Sequence, residues 1–185
     1  MEQYTEKKTV MNKDEISQAI KHLAREIAEN NGGGKDLAIV GVQTRGVFIA
    51  KRIIEEIKKS GIYKGSEIPF GVIDITLYRD DVSSMETPPQ VKETDISFDL
   101  TGKQIVLVDD VLYTGRSIRA ALDELMDFGR PENIQLAVLV DRGLRELPIE
   151  PNFTGKKIET SKKELISVEV EEIDGNDRVM LMGEE

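Results

Sequence analysis

Asp109 and Asp110 stand side by side at the end of an apolar run, in "IVLVDDVLYTGRS", Ile105 to Ser117. Adjacent carboxylates are acceptors, suited to the vicinal hydroxyls of a sugar or, directly or through water, to Mg2+. Tyr113, Thr114, Gly115, Arg116 and Ser117 follow. Thr114 and Ser117 bring hydroxyls, Arg116 a guanidinium, and Gly115 a backbone that can come close to a ligand. Where such a loop turns into a helix, the first N–H groups lack intrahelical acceptors and favour an anion. Acceptors for sugar hydroxyls beside a nest of donors describe a receptor for a ribose 5-phosphate.

A second set is Thr44, Arg45 and Gly46, also just after an apolar run. A hydroxyl, a guanidinium fork and a flexible Gly make a fair clamp for diphosphate. Read alone, the same three residues also suit a surface turn.

These residues need a scaffold, and the periodicity predicts one. Ile16, Ile20, Leu23 and Ile27 form one apolar helical stripe. Asn12 or Asp14 can cap its start, and Gly32 to Gly34 end it. "DLAIVGV" reads as a buried strand and "GVFIAKRIIEEIKKSG" as a helix stopped by Gly61. "PFGVIDITLYRD" reads as a strand. Residues 79–97 have acids, Ser, two Pro and no apolar period, and predict a flexible active-site loop. "KQIVLVDDVL", "GRSIRAALDELMDFG" and "ENIQLAVLVDR" give strand, helix and strand. Short apolar runs without alternation imply strands covered on both faces. The expected fold is α/β, one domain over residues 1–185, with a parallel sheet flanked by helices. Residues from about 141 to 185 are expected to build a small hood and C-terminal strands. In such a sheet ligands sit beyond the strands' C-terminal ends, where Asp109, Asp110 and the Thr44 turn lie.

Composition narrows the chemistry. The 185 residues include no Cys and one His, His22. Disulfides, thiolate sites, a Cys nucleophile and multi-histidine metal centres are therefore excluded. No apolar run approaches the roughly 20 residues that span a bilayer. No secretory h-region precedes the first helix, so a cytoplasmic protein is expected. The net charge of −10 argues against nucleic-acid binding by the chain as a whole, but not by a local basic face.

"IVLVDDVLYTGRS" resembles the phosphoribosyl-diphosphate (PRPP) signature of type I phosphoribosyltransferases. "GVQTRGVFIAKR", "IDITLYRDD" and "IQLAVLVDRGLRELPI" further resemble the bifunctional pyrimidine operon regulators with uracil phosphoribosyltransferase activity. The likeness runs from about Asp14 to the C-terminus. It implies a type I phosphoribosyltransferase-like fold. The implied reaction joins uracil to PRPP, giving UMP and diphosphate with Mg2+, alongside attenuation of transcription through pyrimidine operon leader mRNA. It implies that Asp109 and Asp110 hold ribose and Mg2+, that Thr114 to Ser117 bind the 5-phosphate with Tyr113 also in the PRPP site, and that Thr44, Arg45 and Gly46 bind diphosphate. Arg79 would open a loop that closes over the site. Val140, Asp141 and Arg142 would read the base. RNA contacts would come from Lys21, His22, Arg25, Arg142, Arg145 and Lys156. Lys21 and Arg25 stand where RNA-binding members carry Thr and His. The family also suggests homo-oligomers. Two other functions fit the same residues: a salvage uracil phosphoribosyltransferase without RNA binding, and a related transferase using another base.

Overall fold

Whether those loops meet depends on how the strands are ordered. The computed structural model describes residues 4–32, 36–65, 67–75 and 94–184. Strands β2 (Leu37–Val42), β3 (Phe70–Ile73), β4 (Gln104–Leu112), β5 (Asn133–Asp141) and β6 (Phe153–Lys157) form one parallel sheet in the order β3-β2-β4-β5-β6. Helix α2 (Arg45–Ser60) carries the chain from β2 outward to β3, and α3 (Arg116–Asp127) carries it from β4 the other way to β5. The winding direction therefore reverses between the paired strands β2 and β4. At such a reversal the loops diverge and leave a crevice at the strands' C-terminal ends.

Alternation along the strands divides the core in two. Ile39, Val106, Val108 and Leu139 face helix α1 (Lys13–Asn30) and α2. Val40, Ile105, Leu107 and Val138 face α3 through Ile118, Ala121 and Leu125. All six residues of β2 are buried, as a strand covered on both faces requires. The stripe Ile16, Ile20, Leu23 and Ile27 is buried as its spacing predicts. Asn12 caps α1 in a reciprocal box: its side chain accepts the Glu15 N–H, and the Glu15 carboxylate accepts the Asn12 N–H. Gly61 ends α2 in the left-handed conformation.

A second sheet is antiparallel, in the order β1-β8-β7, from β1 (Tyr4–Met11), β8 (Arg178–Glu184) and β7 (Glu164–Glu169). Of the region from 141 onward, only β7, β8 and the single turn α4 (Glu171–Asp174) belong with it, because β6 continues the parallel sheet. Its third strand comes from the N-terminus. "YTEKKTVM" carries mostly exposed charged positions, so no apolar period marks it, and its place is set by pairing with β8. Of the expected loop over 79–97, residues 79–93 lie outside the described residues. Near its end, Asp95 makes an antiparallel bridge with Val72.

Candidate active site

The β4 tip carries the two acids. Asp109 is buried and its carboxylate accepts the Asp110 N–H at 2.9 Å. Asp110 is half-buried and accepts the Val111 N–H at 3.0 Å. Each carboxylate is thus held by the backbone beside it. Gly115 then turns the chain at φ 93° into α3, a conformation that side-chain-bearing residues rarely adopt. The Thr114 carbonyl accepts the N–H groups of Glu146 (3.0 Å) and Leu147 (3.1 Å), which ties this loop to the chain beyond β5.

The β2 tip lies against it because of Gly46. A Cβ on Gly46 would sit 2.5 Å from the Val108 carbonyl oxygen and 3.1 Å from the Asp109 Cα. With hydrogen there instead, the first turn of α2 rests on β4 and brings Thr44 and Arg45 alongside the acids. The Gln43–Thr44 peptide is cis.

A cavity of about 370 Å³ opens between the two tips. Its lining includes Thr44, Arg45, Asp109, Asp110, Tyr113, Thr114, Gly115, Ser117 and Arg142. Sequence reasoning did not point to Ile75 or to Ile166 of β7, which also line it. Both are apolar wall residues with no chemical signature; Ile166 reaches the site only through the second sheet.

The remaining candidates are distributed differently. The Arg116 side chain does not line the cavity and donates to Glu146 at 2.7 Å. Val140 is fully buried, with its side chain in the core toward α1 and α2, and its strand pairs with β4 on one side and β6 on the other. The Asp141 carboxylate accepts the Gly143 N–H (2.9 Å) and an Arg145 N–H (2.7 Å). Asp141 and Arg142 line a smaller adjoining cavity of about 150 Å³ with Gly143, Lys157, Ile158 and Glu159. Arg79 lies outside the described residues.

The expected RNA contacts separate into two groups. Lys21, His22 and Arg25 are exposed on α1; His22 lies 3.4 Å from Glu26, and Arg25 donates to Glu29 at 2.8 Å. Lys156 sits by the start of the same helix, 3.6 Å from Glu15, and donates to the Val10 carbonyl. Arg142 and Arg145 are turned inward. Arg142 is 5% exposed, stacks 4.0 Å from the centre of the Tyr113 ring, and donates to Thr160 and to the carbonyls of Ser161 and Glu164. Burial draws its guanidinium below its ordinary pKa. Arg145 donates to the Tyr113, Gly143 and Ile149 carbonyls and to Asp141. Both are turned largely inward, where Arg142 through its ring contact and Arg145 through its hydrogen bond to the Tyr113 carbonyl brace the loop after β4.

Residues 8–173 match the phosphoribosyl transferase domain family. The chain is 56% identical over 179 residues to the bifunctional protein PyrR of Thermus aquaticus, covering 97% of both chains. It belongs to the PyrR family of phosphoribosyl transferases. Identity is 57% over 175 residues to the bifunctional protein PyrR of Thermus thermophilus, covering 95% of both, and 50% over 179 residues to that of Deinococcus radiodurans, covering 97% and 96%. Among solved structures, hypoxanthine phosphoribosyltransferase of Trypanosoma cruzi superposes with a TM-score of 0.72 at 14% identity, over 97% of this chain and 98% of that one. A hypoxanthine-guanine phosphoribosyltransferase from Bacillus anthracis gives 0.71 at 19%, over 97% and 99%. At these identities the likeness is one of fold. It shows the α/β sheet flanked by helices to be that of the phosphoribosyltransferases, with the antiparallel sheet as its hood.

Proposed function

We propose that this chain joins uracil to PRPP, giving UMP and diphosphate, and that nucleotide in the same cavity governs its binding to pyrimidine operon leader mRNA. The observation that carries the catalytic half is one cavity lined by Asp109 and Asp110 from one strand tip, Thr44 and Arg45 from the neighbouring tip, and Thr114, Gly115 and Ser117 of the following turn. In this reading the two acids hold the ribose hydroxyls. The Thr114 and Ser117 hydroxyls and the first N–H groups of α3 take the 5-phosphate. Thr44 and Arg45 take the diphosphate. The base lies toward Arg142 and the chain beyond it.

The reaction forms a bond from uracil N1 to C1 of the sugar while the bond from C1 to the diphosphate oxygen breaks; the electron pair leaves with diphosphate and the N1 proton passes to solvent. Positive charge develops on the ribose ring, and the acids at the β4 tip oppose it. Holding both partners in line provides much of the rate. No covalent intermediate is needed, and the single His lies exposed on α1. Mg2+ takes one or two carboxylates and completes its shell with water and phosphate oxygens, so a pair of acids beside a diphosphate subsite fits it. Asp109 and Asp110 would hold it, and it would neutralise the leaving diphosphate. Among the described residues, no group of three or more His, Cys, Asp or Glu side chains is placed to hold a metal ion.

The regulatory half rests on exposed basic side chains of α1. Lys21, His22 and Arg25, with Lys156 near the helix start, form the expected RNA face. A symmetric pair of subunits would gather two such faces on one side despite the net charge of −10. Leader RNA and nucleotides would meet the protein in the cytoplasm, and no helix among the described residues is long and apolar enough to cross a membrane.

One preparation tests both halves. UMP should form from uracil and PRPP with Mg2+ faster than any purine nucleotide forms from its base. Leader RNA should bind more tightly with UMP than without. Faster turnover of a purine base overturns the substrate assignment. Binding of leader RNA no tighter than a scrambled RNA of equal length, with UMP present, overturns the regulatory one.

A further inference from the structure

Arg45 is engaged before any substrate arrives. Its Nε donates to Asp174 Oδ2 at 3.1 Å and its Nη2 to Asp174 Oδ1 at 2.8 Å. A pair of this shape uses one edge of the guanidinium. Nη1 makes no hydrogen bond among the described residues, and Arg45 itself lines the cavity. Asp174 is fixed in turn, because its Oδ2 also accepts the Val170 N–H at 2.8 Å.

The turn that carries Asp174 is anchored independently. Arg52 lies about two helical turns along α2 from Arg45, on the same face. It donates to both oxygens of Glu172 (2.6 and 2.9 Å) and of Asp177 (2.8 and 3.1 Å). Asp177 is 6% exposed and accepts the Glu171 N–H at 2.8 Å. Lys13, the first residue of α1, reaches Glu171 at 2.6 Å. Thus α4 is clamped along α2, and Asp174 is presented at the N-terminal end of that helix, where Arg45 stands.

We propose that Asp174 is a positioning residue for the transferase site: it holds the Arg45 guanidinium in one orientation, so that the unengaged edge serves the diphosphate of the substrate. The inference rests on the assignment of Arg45 to diphosphate. An arginine side chain carries considerable rotamer entropy, and a fork-to-fork ion pair removes it before the ligand binds. The opposite arrangement, a carboxylate competing with diphosphate for the cation, would occupy the edge that the ligand needs. Here the pair takes one edge and leaves the other.

The test uses Asp174→Asn, Arg45→Met and the double variant of the full chain. KM for PRPP, KM for uracil and the affinity for inorganic diphosphate with Mg2+ are measured for each. Asp174→Asn should raise KM for PRPP and weaken diphosphate about tenfold, the low end of what loss of an orienting partner costs at metal sites, with KM for uracil unchanged. In the Arg45→Met background the same substitution should change diphosphate affinity less than about twofold, because residues acting through one contact are non-additive. Diphosphate binding unchanged or tightened by Asp174→Asn overturns the proposal, and so do additive effects of the two substitutions. If Arg45→Met binds diphosphate as the unmodified chain does, the assignment of Arg45 itself fails. Should Asp174→Asn not fold, Arg45→Lys poses the question from the other partner. An ammonium cannot keep one edge on Asp174 and offer another, so diphosphate should again weaken about tenfold, and unaltered affinity overturns the proposal.

Discussion

Two acids and one missing Cβ concentrate the chemistry at the β4 tip. Asp109→Asn and Asp110→Asn keep side-chain shape and remove charge where the ribose ring becomes positive. Each should lower kcat for UMP formation about 100-fold, with the melting transition retained. Activity near that of the unmodified chain in both variants, assayed with Mg2+, would sink the assignment of this cavity to PRPP. Gly46→Ala acts differently, since it adds no charge and removes none. Its Cβ would collide with the Val108 carbonyl at 2.5 Å, so α2 must move away from β4. A destabilisation of about 1–3 kcal/mol is expected, together with a raised KM for PRPP as Thr44 and Arg45 shift. Denaturant unfolding and steady-state kinetics on one sample check both.

The α4 turn is held by carboxylates, and that makes it sensitive to acid. The hydrogen bonds from Arg45 hold Asp174 below the ordinary carboxylate range. Burial pushes Asp177 and Glu172 upward, but the Arg52 guanidinium outweighs it and leaves both lowered. A carboxylate whose folded pKa is depressed contributes stability above its unfolded value and loses it as pH falls through the folded one. The clamp should therefore be intact at neutral pH and be lost as pH falls below the ordinary carboxylate range and through the depressed folded values. Protection of the amides of residues 170–177, taken relative to intrinsic exchange at each pH, should fall over that range before that of the parallel sheet does. Arg52→Met should make exchange there fast already at neutral pH. If protection of 170–177 persists unchanged down to the pH at which the parallel sheet opens, the ion pairs do not hold the turn.

If nucleotide in the catalytic cavity governs RNA binding on α1, the two ligands are linked by thermodynamics. A nucleotide that tightens RNA binding by some factor must itself be bound tighter by the RNA complex by the same factor. UMP affinity measured with and without leader RNA should reproduce the ratio of RNA affinities with and without UMP, and unequal ratios would mean that the two measurements report different species. Lys21→Ala with Arg25→Ala should weaken leader RNA and lower the slope of log affinity against log salt by about 0.7 to 0.9 per lost phosphate contact. UMP formation should be unaffected, because neither side chain lines the cavity. An unchanged salt slope would return these cations to the role of a solvated helix face.

Contiguous residues were enough to determine the helices, most strands of the parallel sheet and the chemistry of its loops. Periodicity buries Ile16, Ile20, Leu23 and Ile27, Asn12 and Glu15 close a local cap, and an apolar run ending in Asp109 and Asp110 announces a strand tip. Each of these follows from neighbours in the chain, and steric and hydrogen-bonding rules act at that range. Other features were settled by distant partners. The reversal of winding between β2 and β4 makes one crevice of two loops that are far apart in sequence. β1 becomes a strand because β8 pairs with it, and β6 joins the parallel sheet because β5 does. Arg142 and Arg145 look like surface cations in a string of letters and turn inward because carbonyls from remote turns converge on them. Arg45 and Asp174 meet across most of the chain's length. Closing such long loops costs little more entropy than closing shorter ones, so which of the possible pairings forms is decided by packing in the folded chain, and no local pattern records it.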